Sequence, residues 1–199
     1  MTDNLTVFIV DDDPSVRDAL GLLLGVHDYR LAVFADADSF LRALKPHWHG
    51  CLLLDIRMPG MDGLSLQKKL LELGCDLPVV IMTGHGDVDS AREAFRAMAV
   101  DFLEKPLDGA RLLAAIAEAF ERQRQAADAA ASRSQIQRRL DGLTPREREV
   151  MARVVAGRHN REIAAELAIS PRTVEVHKAR MMDKLGVASV AELVRLSLG

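Results

Sequence analysis

The sequence predicts an α/β fold, a doubly wound five-stranded parallel sheet, followed by a small all-α helix-turn-helix domain. Over about the first 120 residues, five short apolar runs alternate with segments of helical periodicity, as they do in sheets built from βαβ units. After Gly142, four short helical segments follow one another without strands. Short consecutive helices of this kind are typical of helix-turn-helix modules.

Charge divides the chain at the same place. Residues 1–121 carry 11 Lys and Arg against 20 Asp and Glu, a net charge of −9, whereas residues 122–199 carry 15 against 9, a net charge of +6. Only the basic part suits a polyanion such as DNA. We therefore predict a first domain over residues 1–121, a helical linker rich in Ala, Gln and Arg over 122–141, and a DNA-binding domain over 142–199.

The composition disfavours several classes of protein. No apolar run reaches the length of about 18 residues that a membrane span needs, and the N-terminus lacks the pattern of a signal peptide. We therefore expect a cytoplasmic protein without a membrane partner. The two cysteines, Cys51 and Cys75, are too few for a disulfide framework or a metal cluster, so we expect buried thiols.

Each element of the first domain has its own signal. The predicted strands are apolar runs bounded by turn residues, and they cover residues 5–10, 29–34, 52–54, 78–82 and 100–103. The predicted helices carry apolar residues at helical spacing; one follows Asp13-Pro14, three cover residues 36–44, 64–73 and 88–98, and the last opens at Asp108. Asp13 is a favourable N-cap, and Pro14 suits a first helical turn.

The helices of the second domain are marked by their caps. Thr144-Pro145-Arg146-Glu147 combines an N-cap, a first-turn proline and the glutamate of a capping box. Asn160 is the predicted cap of the second helix, and Ser170-Pro171 opens a third helix over 171–185 that ends at Gly186. A fourth helix is predicted over residues 189–198.

Polar residues follow or end four of the predicted strands: Asp11 and Asp12, Asp55, Thr83 and Lys105. In an open parallel sheet these strand ends share one rim, where such folds bind ligands. Three carboxylates in a small space need a cation, and Mg²⁺ accepts one or two carboxylates together with water. We predict that Asp55 is a nucleophile that forms an acyl phosphate, and that Lys105 and Thr83 stabilise the phosphoryl oxygens.

The motifs at this rim are Asp11-Asp12, Asp55 with Met58-Pro59-Gly60-Met61-Asp62-Gly63, Thr83-Gly84 and Lys105-Pro106. With them, residues 1–121 resemble a two-component receiver domain of the CheY type. The resemblance implies that a sensor histidine kinase phosphorylates Asp55, and that the only reaction the domain catalyses is slow hydrolysis of its own aspartyl phosphate. It implies Mg²⁺ ligands at Asp11, Asp12, Asp55 and the backbone carbonyl of Arg57. It also implies a cis Lys105-Pro106 bond and a switch in which Thr83 moves toward the phosphate and Phe102 turns inward, held by packing alone.

A phosphatase of the haloacid-dehalogenase type is a competing interpretation, because those enzymes also form an aspartyl phosphate. Asp11 and Asp13 have the spacing of its two acids, but Pro14 stands where Thr or Val is expected. The sequence also shows no segment that suggests a mobile cap domain. The receiver interpretation accounts for more of the residues.

The third helix of the second domain is the predicted DNA-reading element. At about 100° per residue, Val174, Met181 and Leu185 form a buried stripe, and Val176 is left exposed among charged and small residues. An exposed valine fits the major groove, where it can contact a thymine methyl group. The predicted DNA-binding residues are Arg172, Thr173, Glu175, Val176, His177, Lys178, Ala179, Arg180 and Lys184. A plain four-helix domain with a charged face is the alternative.

Residues 143–150, 160–164 and 172–177 resemble the LuxR-type helix-turn-helix. The order of receiver, linker and LuxR-type module is similar to that of NarL/FixJ response regulators, and Thr83-Gly84-His85-Gly86-Asp87 together with residues 172–177 favours the FixJ branch. The resemblance implies a homodimer that binds promoter DNA after phosphorylation, with RNA polymerase as a further candidate partner. Two alternatives stay open: a receiver that serves only as a protein-interaction platform, and a linker that is either extended or folded back.

Overall fold

The computed structural model describes residues 5–46, 48–84, 94 and 98–198. The chain divides into two compact units, Met1–Ala127 and Asp128–Gly199. A sheet with helices on both faces forms the first unit, and the described part of the second is helical. Among the helices that the structure describes, none combines the length and the apolarity that crossing a bilayer requires.

Five strands form one parallel sheet in the first unit. They are β1 (Thr6–Val10), β2 (Arg30–Phe34), β3 (Gly50–Asp55), β4 (Val79–Thr83) and β5 (Asp101–Glu104). Their order across the sheet is β2-β1-β3-β4-β5, and every neighbouring pair is parallel. This arrangement confirms the predicted doubly wound fold, with strand ends shifted by one or two residues from the predicted bounds.

Four described helices belong wholly or partly to the first unit. They are α1 (Pro14–Val26), α2 (Ala37–Ala43), α3 (Gly63–Glu72) and α4 (Gly109–Asp141). The Asp13 carboxylate accepts a hydrogen bond from the backbone N–H of Ser15 at 2.8 Å, which confirms the predicted cap of α1. The predicted helix over residues 88–98 lies outside the described residues except at positions 94 and 98.

Helix α4 remains packed against the sheet beyond residue 121. Leu112 and Ile116 are fully buried in the core of the first unit. Further along, the side chain of Gln123 is buried and its Oε1 accepts a hydrogen bond from the backbone N–H of Gly50, at the start of β3. The first turn of the predicted linker therefore packs on the first unit.

The core explains why the sequence of β3 shows no polar alternation. All six residues of β3 are buried, as expected when helices cover both faces of a parallel sheet. Leu52 and Leu54 pack in the core cluster that contains residues of α2 and α3. Leu53 packs in the second cluster, with residues of α1 and α4. Cys51 is buried and Cys75 is half-buried, and neither forms a disulfide.

The second unit is built from the end of α4 and four further helices: α5 (Pro145–Val155), α6 (Asn160–Leu167), α7 (Pro171–Leu185) and α8 (Val190–Leu198). The capping box of α5 is confirmed, because Glu147 N–H donates to Thr144 Oγ1 at 3.3 Å and Thr144 N–H donates to Glu147 Oε2 at 2.8 Å. Val150, Ile163, Val174, Leu185 and Leu193 are buried together.

The predicted cap of α6 at Asn160 is wrong by one residue. His159 is the extended residue before the helix, and its backbone N–H donates to the Glu162 carboxylate at 2.7 Å. Asn160 is already helical. The glutamate three residues after the cap was the better guide to the start of this helix, because it binds the backbone of the cap residue itself.

One position beside the predicted nucleophile requires a glycine, because the backbone of another element lies very close to it. Gly63, the first residue of α3, donates its backbone N–H to Ile56 O at 2.9 Å. A Cβ atom at Gly63 would lie 2.2 Å from the carbonyl oxygen of Asp55. Because that oxygen belongs to the backbone at the end of β3, any side chain here must displace the strand end that carries Asp55.

We expect Gly63→Ala to lower the free energy of unfolding of the first unit by about 1–3 kcal/mol, as overpacking does elsewhere. Gly21→Ala in α1 is the matched control, because its Cβ would meet nothing within 4 Å and a helix gains about 0.5–1 kcal/mol from this change. Urea unfolding followed by the fluorescence of Trp48 reports on this unit, because the chain's single tryptophan stacks on Phe8. Equal stability of the two variants would contradict the close approach.

Candidate phosphorylation site and nucleic-acid interface

The parallel strands bring the predicted site residues to one rim of the sheet. Asp11 follows β1, Asp55 ends β3, Thr83 ends β4, and Lys105 follows β5. The register of the sheet aligns these ends, since Asp55 pairs with Met82, and Thr83 pairs with Glu104. Side chains separated by about 90 residues of sequence therefore meet, as the sheet rule predicts.

Lys105 joins two buried carboxylates. Its Nζ lies 2.7 Å from Asp11 Oδ2 and 2.7 Å from Asp55 Oδ1. Asp11 is fully buried and Asp55 is 3% exposed, whereas the side chain of Lys105 remains 21% exposed. A buried carboxylate without such a partner would be strongly destabilising. Two carboxylates against one ammonium still leave a net negative charge at the rim.

Each polar group of Asp11, in the side chain and in the backbone, forms a hydrogen bond. Its Oδ1 accepts a hydrogen bond from Asp13 N–H at 3.0 Å, and its Oδ2 accepts one from Lys105. Its carbonyl oxygen accepts from Arg17 Nη1 at 2.7 Å, and its backbone N–H donates to Phe34 O at 3.2 Å. The loop between β1 and α1 is therefore fixed around the acid, which is the condition for a preorganised site.

The electrostatics of Asp55 and Lys105 depend on each other. Burial raises the pKa of Asp55, and the negative charge of Asp11 adds to the increase, while the bond to Lys105 opposes it. Burial lowers the pKa of Lys105, but its hydrogen bonds to Asp11 and Asp55 outweigh that effect, and the net shift of its pKa is upward. Lys105 is therefore protonated at neutral pH.

The remaining predicted site residues differ in their burial. Asp12 is exposed on the loop next to Asp11, and Thr83 is buried at the end of β4. Arg57 is exposed, and its backbone N–H donates to the Asp55 carboxylate. Phe102 is half-buried against the core cluster that includes α2 and α3. The Lys105-Pro106 bond is cis, as the resemblance implied.

The donor set at the rim fits Mg²⁺. Among the described residues, no three His, Cys, Asp or Glu side chains gather as a metal cluster. Asp11 and Asp55 both bind Lys105, and Asp12 is exposed. Mg²⁺ does not need such a cage, since it binds through one or two carboxylates and keeps several waters. Two buried carboxylates, an exposed third and a net negative charge meet that requirement.

A groove opens beside Lys105 on the surface of the first unit. It has a volume of about 300 Å³ and is lined mainly by apolar atoms. Its lining residues are Ser15, Val16, Ala19, Leu20, Leu23, Lys105, Pro106 and Leu107. Leu22 and Val26, further along α1, are 76% and 82% exposed. This side of α1 therefore offers apolar surface beside the candidate site.

Helix α7 has the two faces that its sequence predicted. Val174, Met181 and Leu185 are fully buried, and Val176 is 42% exposed. The predicted contact residues Arg172, Glu175, Ala179 and Arg180 are also exposed, while Thr173, His177 and Lys178 are half-buried. The Thr173 hydroxyl lies 2.8 Å from Ser170 Oγ at the helix cap.

Lys184 is placed differently from the other predicted DNA contacts. Its Nζ lies 2.7 Å from Glu147 Oε2 and donates to Gly142 O at 3.3 Å. Glu147 is buried and also accepts from Thr144 N–H. These bonds lower the pKa of Glu147 to about 2, and the bond from Lys184 has the largest effect. Lys184 therefore helps to hold α7 against α5, and a phosphate contact from this ammonium would compete with its bonds to Glu147 and Gly142.

Sequence reasoning missed two cations outside α7, Arg158 and Arg161. Arg158, Arg161 and Lys178 line a wide surface basin of about 790 Å³ around the start of α6. Only Lys178 lies on the predicted recognition helix. The available signal was the local density of arginine around the start of α6, at residues 153, 158 and 161, which periodicity arguments do not use.

Comparisons with known proteins agree with this division. The family model described as the response regulator receiver domain matches residues 7–117. The model described as bacterial regulatory proteins of the LuxR family matches residues 141–197. The first therefore contains the rim with Asp55, and the second contains α7.

Relatives match along the whole chain. The transcriptional regulatory protein FixJ of Bradyrhizobium diazoefficiens is 44% identical over 198 residues, which covers 100% of this chain and 97% of the relative. The structure of the response regulator StyR covers 98% of each chain at 39% identity, with a TM-score of 0.86. Full-length FixJ from B. japonicum is 43% identical, covers 100% of this chain and 97% of its own, and has a TM-score of 0.62.

We expect that Glu147→Gln makes the free energy of unfolding of the second unit less dependent on pH under acidic conditions. The folded state lowers the pKa of Glu147 from 4.5 to about 2, so its contribution to stability is present above pH 4.5 and is lost as the pH falls toward 2. Urea unfolding followed by the amide exchange of α7 across this range measures the effect. A variant as acid-sensitive as the wild type would contradict the assignment, and Glu149→Gln, which changes an exposed glutamate of the same helix, is the control.

Proposed function

The chain belongs to the FixJ-like response regulators, which join a receiver domain to a LuxR-type DNA-binding domain, and on this premise we propose a phosphorylation-activated transcription factor with Asp55 as phosphoacceptor. The observation that supports the proposal most strongly is the meeting of Asp11, Asp55 and Lys105 at one rim, with both ion pairs at 2.7 Å. Such a site suits phosphoryl transfer, in which positioning and charge stabilisation dominate.

In the proposed reaction, a carboxylate oxygen of Asp55 attacks the phosphorus of a phosphohistidine on a sensor kinase. An O–P bond replaces the N–P bond, whose electron pair leaves with the histidine ring as that ring takes up a proton. Lys105 transfers one of its hydrogen bonds from Asp55 to a phosphoryl oxygen and keeps its bond to Asp11. The Thr83 hydroxyl donates to a second phosphoryl oxygen.

Mg²⁺ is the proposed cofactor, and Asp11, Asp12, Asp55 and the backbone carbonyl of Arg57 are its proposed ligands. When bound, it supplies positive charge against the phosphoryl oxygens. The chain's own part is to hold Asp11 fixed through Arg17 and Asp13 N–H. Attack of water on the phosphorus of the acyl phosphate then breaks the O–P bond, releases inorganic phosphate and returns Asp55 to its free carboxylate, and we propose no other catalytic activity.

The proposed switch couples the phosphate to Phe102. Movement of Thr83 toward the phosphate vacates space near β5, and Phe102, already half-buried, turns inward. Phenylalanine has no hydroxyl group, so packing alone holds that state. The phosphate thereby shifts an existing equilibrium toward a state that forms homodimers, and the dimer places two α7 helices on paired half-sites of promoter DNA.

At the DNA, α7 supplies the proposed sequence readout. Val176 contacts a thymine methyl group, Glu175 accepts from a cytosine amino group, and Arg172 and Arg180 flank them. Lys178, together with Arg158 and Arg161 around the basin, contacts phosphates, which position the protein without reading the sequence. A contact with RNA polymerase remains a candidate role for the assembled dimer.

The groove beside Lys105 is the proposed docking site for the sensor kinase. A helix that carries the phosphohistidine fits an apolar groove that ends next to the phosphoacceptor, since amphipathic helices dock in such grooves. Ser15, Ala19 and Lys105 line its walls, and the exposed Leu22 extends the apolar surface along α1.

Phosphorylation of Asp55 is expected to control both assembly and DNA binding. With Mg²⁺ and acetyl phosphate, wild-type protein should sediment as a dimer and protect specific genomic fragments. Asp55→Ala should remain monomeric and protect none of them, because it lacks the nucleophile. Sedimentation velocity and footprinting on genomic DNA measure the two effects. The proposal would be wrong if Asp55→Ala still dimerised and bound those fragments in response to the phosphodonor.

The kinase groove has its own test. Ala19→Arg places a guanidinium in the groove and should slow phosphotransfer from the sensor kinase about tenfold or more, because a charge buried against an apolar helix is unfavourable. Labelling by acetyl phosphate, which needs no docking, should change far less. Leu71→Arg, at a half-exposed leucine of α3 away from the groove, is the matched control. Equal transfer rates for Ala19→Arg and Leu71→Arg would contradict this docking site.

A further inference from the structure

The last turn of α4 is attached to the end of α7. Arg139 Nη1 donates a hydrogen bond to the carbonyl oxygen of Leu185 at 3.0 Å. Leu185 is the last residue of α7. Arg139 lies in the stretch that the sequence assigned to a linker, yet both residues belong to the second unit.

The chemistry of a helix end explains this contact. The last carbonyl groups of a helix have no partner within it, and the C-terminus carries partial negative charge. The neighbouring carbonyls of Met182 and Asp183 accept from Val187 and Gly186 N–H groups, both at 3.0 Å. The Leu185 carbonyl is then satisfied by the guanidinium of Arg139, which is cationic and suits that end of the helix.

Gly186 leaves the space that the guanidinium uses. Its φ of +68° favours glycine. A Cβ atom here would also lie 3.1 Å from Arg139 Nη1, tighter than ordinary contact. Gly186 therefore ends α7 and also leaves room for the side chain of Arg139, which binds the end of that helix.

Two further bonds fasten the same region. Lys184, on α7, donates to the carbonyl oxygen of Gly142 just after α4, at 3.3 Å. Arg148, on α5, donates to the carbonyl oxygen of Asp141 at 3.1 Å. The end of α4 is therefore bound to both helices, and Arg139 is its direct contact with the C-terminus of α7.

We propose that Arg139 is a positioning residue for DNA binding, which holds the C-terminal end of the recognition helix α7 without contacting DNA itself. The inference rests on the proposed role of α7. The N-terminal end of α7 is fixed by the Ser170 cap, at 3.1 Å from Thr173 N–H to Ser170 Oγ. With Arg139 at the other end, both ends of the helix that presents Arg172, Val176 and Arg180 are held. The last turn of the linker is then part of the DNA-binding apparatus.

The test compares three variants of the full-length chain with the wild type. Arg139→Ala removes the bond, Arg139→Lys keeps a cation with a single donor group, and Arg138→Ala removes an equal charge from the neighbouring exposed residue. The probe is a short duplex cut from a genomic fragment that the wild-type protein protects, with beryllofluoride and Mg²⁺ present. The dissociation constant is measured over a range of salt concentrations. Amide exchange of α7 confirms that each variant is folded.

We expect Arg139→Ala to weaken binding roughly fivefold or more at every salt concentration, with the slope of log affinity against log salt unchanged. A positioning residue releases no counterion, whereas loss of a phosphate contact lowers the slope by about one. Arg139→Lys should recover at least half of the lost affinity on a logarithmic scale, and Arg138→Ala should bind like the wild type. Arg139→Met, which keeps a long unbranched side chain but has neither a hydrogen-bond donor nor a charge, replaces Arg139→Ala if that variant unfolds.

Three results would overturn the inference: unchanged affinity of the Arg139→Ala variant (or of Arg139→Met in its place), a slope lowered by about one, or an equal loss in Arg138→Ala. A wild-type protein that does not prefer the selected duplex over a random one would instead contradict the proposed function. The two failures are therefore distinguishable.

Discussion

The structure of the first unit depends on one charge arrangement, in which Lys105 bridges the buried carboxylates of Asp11 and Asp55. Burying two acids is unfavourable unless a cation and hydrogen bonds compensate them, and the parallel sheet supplies both by aligning the ends of β1, β3 and β5. Gly63 allows α3 to start against the end of β3, and Arg17 holds the loop after β1. The compensation remains incomplete, because two acids face one ammonium. The residual negative charge favours a bound cation, and that cation would in turn offset the charge of a phosphoryl group.

In the proposed function, phosphorylation of Asp55 changes the charges around Lys105. An acyl phosphate on Asp55 would add negative charge beside Lys105, and we propose that the buried Thr83 and the half-buried Phe102 respond to it. The second unit has the opposite character, with an exposed valine between cations on α7 and further arginines around α6. The acidic half of the chain therefore suits a cation and a phosphoryl group, and the basic half suits DNA. Helix α4 contributes to both units, with Ile116 in the core of the first and Arg139 on α7 in the second.

Local patterns predicted most of the fold and the centre of the site. The apolar run of β3, the caps at Asp13 and Thr144, and the rule that parallel strand ends share a rim were sufficient for Asp11, Asp55 and Lys105. Lys184 could not be placed from periodicity, because its position on α7 says nothing about Glu147 37 residues away. Arg139 was missed for the same reason, since the polar linker has no apolar pattern that indicates packing. The cap at His159 was missed because Asn160 is the stronger cap by residue type, while the bond to Glu162 decided the start of α6.

The central claim is that the covalent state of Asp55 is communicated to DNA. The most direct measurement is the dissociation constant of the full-length wild-type chain for one protected duplex, with Mg²⁺ present, with and without beryllofluoride. The account predicts binding that is tighter with beryllofluoride by about tenfold or more, within the range of typical coupling between sites. Equal affinities in the two conditions would contradict it and would favour a receiver that acts only as a protein-interaction platform.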